Sequence, residues 1–202
     1  QLKTTESEKE TLSKAFLEAD IDVAREDAFD KQMKNTFKDY IDQFRALDPE
    51  VVEAFNKPKT ARLLALCDLM KAYHSLHWTN IRFVFEASTG KVELVGNDGF
   101  LKSGARVFRK GPFMAWTDEL VVEETERWRA MYLNLFNDRE FLNLYLDALQ
   151  QFSDQQFLDI TKLNTVGEMK YYQSILIEEW PAYRFNFSRL YARARKIQSA
   201  LN

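Results

Sequence analysis

Glycine and proline are scarce, with six and four residues in a chain of 202. Both interrupt helices, so their shortage points to a mostly helical chain. Four of the six glycines, Gly96, Gly99, Gly104 and Gly111, fall between positions 96 and 111, which gathers the backbone freedom into one stretch. Cysteine is rarer still. Cys67 stands alone, which excludes an internal disulfide framework and a cysteine-rich zinc module. Its apolar surroundings mark it as a small core residue rather than a reactive thiol. No apolar run approaches the ~20 residues that span a bilayer. The net charge of −3 gives none of the basic footprint of a nucleic-acid binder. A secretory leader is also missing. The chain opens on Gln1 rather than Met, however, and reads as a piece of a longer parent, so that absence does not bear on location.

What is present is apolar and aromatic. With 46% hydrophobic residues and sixteen phenylalanines, the chain can bury a sizeable core as one domain with a helical extension. We divide it into an extension over 1–57 and a main region over 58–202. The first twenty residues are charged, with Leu12, Phe16 and Leu17 as their few apolar anchors. From about 23 to 46, Phe29, Met33, Phe37, Tyr40 and Phe44 recur every three or four residues, one stripe of an amphipathic helix. Pro58 opens a second helix, running to 73. Leu63, Leu66, Cys67, Met70 and Tyr73 are read as its buried face, broadened by Leu64 and Leu69. After 116 the chain is helical to its end. Thr117, followed by Asp118 and Glu119, starts a helix that presents Val121, Thr125, Trp128, Tyr132 and Leu135. Asp138 caps the next, which carries Phe141, Tyr145, Ala148 and Phe152. Ser153 with Gln156, and Thr165 with Glu168, match capping-box spacing. Pro181 ends or kinks a helix, and Asn186 caps the last, with Leu190, Ala194, Ile197 and Leu201 on one side. The aromatic stripes are read as core packing, not as a ligand groove.

The β signal is confined to 81–96. Ile81, Phe83 and Phe85 alternate with Arg82, Val84 and Glu86, a period of two. Ala87–Gly90 makes a turn, and Lys91–Val95 alternates again, with Val92 and Leu94 on one face. Glu86 then faces Lys91 and, counting back, Asn80 faces Asn97, beside Asp98. Opposed residues of an antiparallel pair lie ~5 Å apart between Cα atoms. An amide oxygen and a carboxylate therefore converge where the strands leave the sheet. Such oxygen ligands suit Mg²⁺ or Mn²⁺, above all when phosphate oxygens complete the shell. The simpler account is that Asn80 and Asp98 cap the strand ends.

Protein kinases order these parts in the same way: a helix, a catalytic loop ending in a metal-binding Asn, a short hairpin, then a metal-binding Asp followed by Gly. Here the order is helix 58–73, loop 74–80, hairpin 81–96 and Asp98-Gly99-Phe100. Within that superfamily, Ala72-Tyr73-His74-Ser75-Leu76-His77-Trp78-Thr79-Asn80-Ile81-Arg82-Phe83, followed by Thr89-Gly90-Lys91-Val92-Glu93-Leu94-Val95-Gly96-Asn97-Asp98, resembles the spore-coat protein H (CotH)-type kinases. Those domains carry a related Trp-x-Asn-x-Arg-Phe stretch, a Thr-Gly turn and a final Asp. The likeness covers roughly 60–100.

The resemblance implies a mainly α fold with one small hairpin, equivalent to the large lobe of a kinase-like domain. It also implies a metal- and ATP-dependent phosphotransferase of the bacterial surface or envelope, acting on a protein or surface substrate. Asn80 and Asp98 would be the ligands of the nucleotide-bound Mg²⁺ or Mn²⁺.

Two departures from the family pattern bear on activity. An Asp five residues before the metal-binding Asn orients the accepting hydroxyl in the family, and Ser75 stands there in this chain. His74 and His77 are the alternative bases, since imidazole titrates near neutrality. Nothing before 58 reads as sheet, and neither a GxGxxG loop nor a strand lysine occurs. Nucleotide binding by the chain itself is therefore expected to be weak. Lys102 and Arg106, with Arg109 and Lys110, follow Asp98 where kinases hold their substrate segment. They are candidates for phosphate contact or for an acidic or phosphorylated partner, with a solvated loop as the plainer account. His74, His77 and Asp98 also make a possible zinc set. Arg189, Arg193, Arg195 and Lys196 are read as cations complementing the dipole at a helix C-terminus. The rival to a phosphotransferase is a non-catalytic helical interaction module that keeps the hairpin as scaffold.

Overall fold

Short polar side chains open several of the helices by taking up backbone N–H groups that the first turn leaves without partners. Asp48 accepts from Glu50 N at 2.9 Å, Asn56 from Lys59 N at 3.3 Å, Asp138 from Phe141 N at 2.7 Å and Asp154 from Phe157 N at 2.9 Å. The computed structural model describes residues 28–76, 80–96, 127–182, 184 and 186–202, without the side chains of 28–30, 73, 74 and 127–130. In chain order it contains α1 (Ala28–Ala46), a 3₁₀ turn (Pro49–Ala54), α2 (Lys57–Met70), a second 3₁₀ turn (Tyr73–Leu76), β1 (Arg82–Glu86) and β2 (Lys91–Val95). Then follow α3 (Arg127–Leu135), α4 (Arg139–Phe152), α5 (Gln155–Glu179) and α6 (Ser188–Leu201). The fold is mainly α, and the described residues form one antiparallel two-stranded sheet. Among the described residues no helix is long and apolar enough to cross a membrane.

The core is built on α2. It packs against α4, with α6 and β2 covering further sides, so Leu64, Ala65, Leu69, Phe141, Tyr145, Leu149 and Ile197 meet out of water. A second group of rings surrounds Phe44 of α1. Its ring centroid lies 5.3 Å from Phe55, 5.8 Å from Phe83 and 5.5 Å from Tyr132. The last two contacts are edge-on, the arrangement favoured by the ring quadrupoles. Residues on both sides of position 58 therefore share one core. Lys57, only 11% exposed at its side chain, ties the starts of α2 and α4 together through Asp138 at 3.4 Å and Glu140 at 3.0 Å.

Several expectations from the sequence hold here. Asp138 caps α4, whose Phe141, Tyr145, Ala148 and Phe152 are all buried. Tyr132 and Leu135 of α3 are buried, as are Ala194 and Ile197 of α6. α5 ends at Glu179, ahead of Pro181.

Others are corrected. The buried face read for α2 holds at Leu64, Cys67 and Leu69, with Leu63 packed against the core, but not at Leu66 and Met70. Leu66 and Met70 are 37% and 39% exposed, while Thr60, Ala61, Leu64, Ala65, Cys67, Asp68 and Leu69 are buried. Two covering helices, rather than one, bury small and polar positions that a single apolar stripe leaves out. α2 also stops short of 73, because Lys71 takes a left-handed φ of 55° and its N–H turns back to Cys67 O, a helix-ending geometry. Neither capping box forms. Asp154, not Ser153, caps α5, and the Ser153 hydroxyl donates back to Leu149 O at 2.5 Å. No helix starts at Thr165, whose hydroxyl donates to Thr161 O at 2.8 Å inside an unbroken α5. The α6 cations are not at its C-terminus: Arg189 lies in the first turn, and no basic residue lies in the last. Expectations for 1–27 and 117–126 fall outside the described residues.

Candidate functional site

The hairpin follows the register read from the alternation. Arg82 pairs with Val95, Phe83 with Leu94, Val84 with Glu93, Phe85 with Val92 and Glu86 with Lys91. The turn is closed by Gly90, at φ 65°, whose N–H reaches Glu86 O at 2.8 Å. Only glycine holds that φ without steric cost. Glu86 also accepts from the Ser88 hydroxyl at 2.7 Å and the Ser88 N–H at 3.2 Å, and these bonds hold its carboxyl below the usual value. Val92 is fully buried, with Phe83, Phe85 and Leu94 packed against the core. Val84 and Val95 look outward, at 49% and 39% exposed.

What the alternation does not reveal is how the hairpin is fixed to the start of α2. Phe55 makes an isolated parallel bridge to Val92, and Asn56 N donates to Val92 O at 2.8 Å. Glu93 accepts from Asn56 Nδ2 at 3.0 Å and from Lys59 Nζ at 2.7 Å. Lys91 Nζ reaches Glu53 O at 2.5 Å.

The loop before Asn80 leaves from a locked turn. Ser75 is 2% exposed, and its hydroxyl donates to Ala72 O at 2.7 Å and lies 3.7 Å from Cys67 Sγ. Leu76 is 1% exposed, and its carbonyl accepts from the Tyr132 hydroxyl at 2.9 Å. Burial pushes the Cys67 thiol up to about 12, in keeping with a core residue. Ser75, five residues before Asn80, thus belongs to the core. On the far side of the loop, Ile81 is buried at 4% exposure and Asn80 is half-buried.

Of the residues singled out from the sequence, Asn80 and Ser75 lie within the described side chains. His74 contributes backbone to the Tyr73–Leu76 turn, and its side chain lies outside them. His77, Asp98, Lys102, Arg106, Arg109 and Lys110 lie outside the described residues altogether. Among the described residues no group of three or more His, Cys, Asp or Glu is arranged to hold a metal. One amide and one carboxylate is a donor set too small to hold a divalent cation unaided. It is the set Mg²⁺ accepts when phosphate oxygens and waters fill the other positions.

The last turn of α2 contains a polar group that the sequence does not reveal. Asp68 is fully buried and accepts from the Tyr145 hydroxyl of α4, while its backbone carbonyl accepts from Arg193 Nε of α6 at 3.0 Å. Packing against α4 and α6 makes the aspartate internal. Arg193 therefore serves the C-terminal end of α2 rather than that of its own helix. Burial, then neighbouring Arg193 and Lys196, hold the Lys71 ammonium below its ordinary value.

No family model, no curated protein and no solved structure matches this chain, so the function rests on its own residues.

Proposed function

We propose that this chain is the large-lobe portion of a CotH-type kinase-like protein. On this reading Asn80 and Asp98 hold a nucleotide-bound divalent metal at the open end of the hairpin. The observation that supports it is the β1–β2 register. Its first pair is Arg82 with Val95, the register on which the sequence reading of Asn80 opposite Asn97, next to Asp98, rests. Phosphoryl transfer asks little covalent chemistry of a protein and much positioning. Two ligands at the end of a sheet anchored to α2 suit that demand. The metal, when bound, would neutralise phosphate charge.

Binding without transfer is the second reading, and the burial of Ser75 favours it. The hydroxyl is committed to Ala72 O, and the alternative bases on the kinase-like reading are His74 and His77. In either case the nucleotide-dependent metal site is the shared element.

The test is thermal unfolding with Mn²⁺ alone, with ATP alone and with both. A rise in Tm that requires both and is lost in Asp98→Ala supports the reading. Equal shifts in wild type and Asp98→Ala, or no shift even at ligand concentrations that saturate a weak site, would overturn it in favour of a helical scaffold.

A further inference from the structure

An open cavity lies between α5 and Phe187, the residue that precedes α6. Its volume is about 330 Å³, at the small end of the range for ligand sites. Thr165, Met169, Tyr172 and Leu176 recur every three or four positions, so they share one side of α5 and make its wall. Glu168 and Gln173 stand at its margins, and Glu168 is the only charged residue that lines it. That carboxylate has no counter-charge. The neighbours of Glu168 three and four positions away are Asn164, Thr165, Tyr171 and Tyr172, none of them a cation. No Lys or Arg lies within ion-pair distance of it among the described residues.

The aromatic walls are held in place. Tyr172 is 60% exposed, and its ring is braced edge-on by Tyr171 at 5.3 Å between centroids. Phe187 leans on Tyr191 at 6.4 Å, and the Tyr191 hydroxyl donates back to Asp159 of α5 at 2.5 Å. Both rings are therefore tied to the same helix. The Thr165 hydroxyl is already given to Thr161 O at 2.8 Å. The uncompensated carboxylate calls for a cation. A primary ammonium or a guanidinium brings several N–H donors that need acceptors, and beyond Glu168 the cavity has only the Gln173 amide to accept them. A fully methylated ammonium has no donors to satisfy, is weakly hydrated and is drawn to aromatic faces.

We propose that the α5 cavity binds small quaternary ammonium compounds, with Glu168 supplying the counter-charge and Tyr172 and Phe187 the aromatic walls. The site shares no residue with the metal site and stands independently of it. The probe is choline, titrated into the full chain and followed through residue-resolved amide shifts. Saturable shifts should centre on Glu168, Met169, Tyr172, Gln173 and Phe187. The neutral carbon analogue of choline keeps the shape without the charge, and ethanolamine keeps the charge without the methyl groups. Each should bind at least about fivefold more weakly. Glu168→Gln and Tyr172→Leu should each weaken choline by about threefold. Both side chains are exposed, so these variants should keep the wild-type Tm. Glu178→Gln, on the same helix but outside the cavity, should leave affinity unchanged. Shifts that never saturate, or that map elsewhere, overturn the proposal. So does a neutral analogue or ethanolamine that binds as tightly as choline, which would leave a plain apolar cleft or a plain anionic one. Equal affinity in Glu168→Gln and wild type does the same.

Discussion

Cys67 and Ser75 show how far a residue's surroundings determine what it can do. The thiol sits 3.7 Å from the Ser75 hydroxyl at 3% exposure, and burial raises its pKa from an ordinary 9.0 to about 12. Iodoacetamide at pH 8 should leave the native thiol unmodified and alkylate it fully in guanidinium. Rapid native alkylation would contradict the burial. The raised pKa also has a stability consequence. The thiol's contribution is complete below about pH 9 and is lost as pH rises from 9 toward 12, because only the unfolded chain ionises there. A Cys67→Ala variant should show a flatter fall in stability over that window. Ser75→Asp, which restores the residue type of the kinase pattern, should not restore a base. A carboxylate there would be buried and should cost on the order of 3 kcal/mol or more, seen as a lowered urea midpoint. An unchanged midpoint would mean that position 75 faces solvent. That a serine, not an aspartate, lies five residues before Asn80 is legible in the sequence. That its side chain turns inward is not, since the bond to Ala72 O depends on where α2 stops.

At the scale of elements, the strongest sequence signals were those whose physics is local. The period-two alternation and the Thr89-Gly90 turn gave the hairpin its register, and Asp138 marked the start of α4. Capping boxes failed where a nearby alternative was better. Asp154, one residue beyond Ser153, accepts from Phe157 N at 2.9 Å, which frees the serine to close α4. Asp154→Ala should cost about 1 kcal/mol, and Thr165→Ala much less, because Thr165 caps nothing. Chemical denaturation of the two variants distinguishes a continuous α5 from two helices. The middle of α5 offers a further check. A Cβ added at Gly167 meets nothing within 4 Å, so Gly167→Ala should stabilise the protein by roughly 0.5–1 kcal/mol through helix propensity alone. A loss of stability would show that this face is closely covered. The face carries Ile160, Leu163, Tyr171 and Ile175, at 50%, 73%, 63% and 46% exposed. An amphipathic reading of the sequence does not anticipate so much apolar exposure on one helix.

For the molecule as a whole, the mainly α architecture follows from scarce glycine and proline, and the hairpin among the described residues from one short run of alternation. The arrangement of the helices was not legible, because the buried Asp68–Tyr145 bond, the Arg193 contact to the end of α2 and the Phe55–Val92 bridge join residues far apart in the chain. These long-range contacts decide the candidate site. The Phe55–Val92 bridge fixes the hairpin to the start of α2, and a further one, from the Tyr132 hydroxyl, holds Leu76 O. The central claim is that this scaffold presents Asn80 and Asp98 to one nucleotide-bound metal. Its most direct test is an equilibrium titration of Mn²⁺ followed by electron paramagnetic resonance, with and without a non-hydrolysable ATP analogue. The account predicts one weak, saturable Mn²⁺ site per chain that requires the analogue and disappears in both Asn80→Ala and Asp98→Ala. Mn²⁺ binding that ignores the nucleotide, or that survives either substitution, would contradict it.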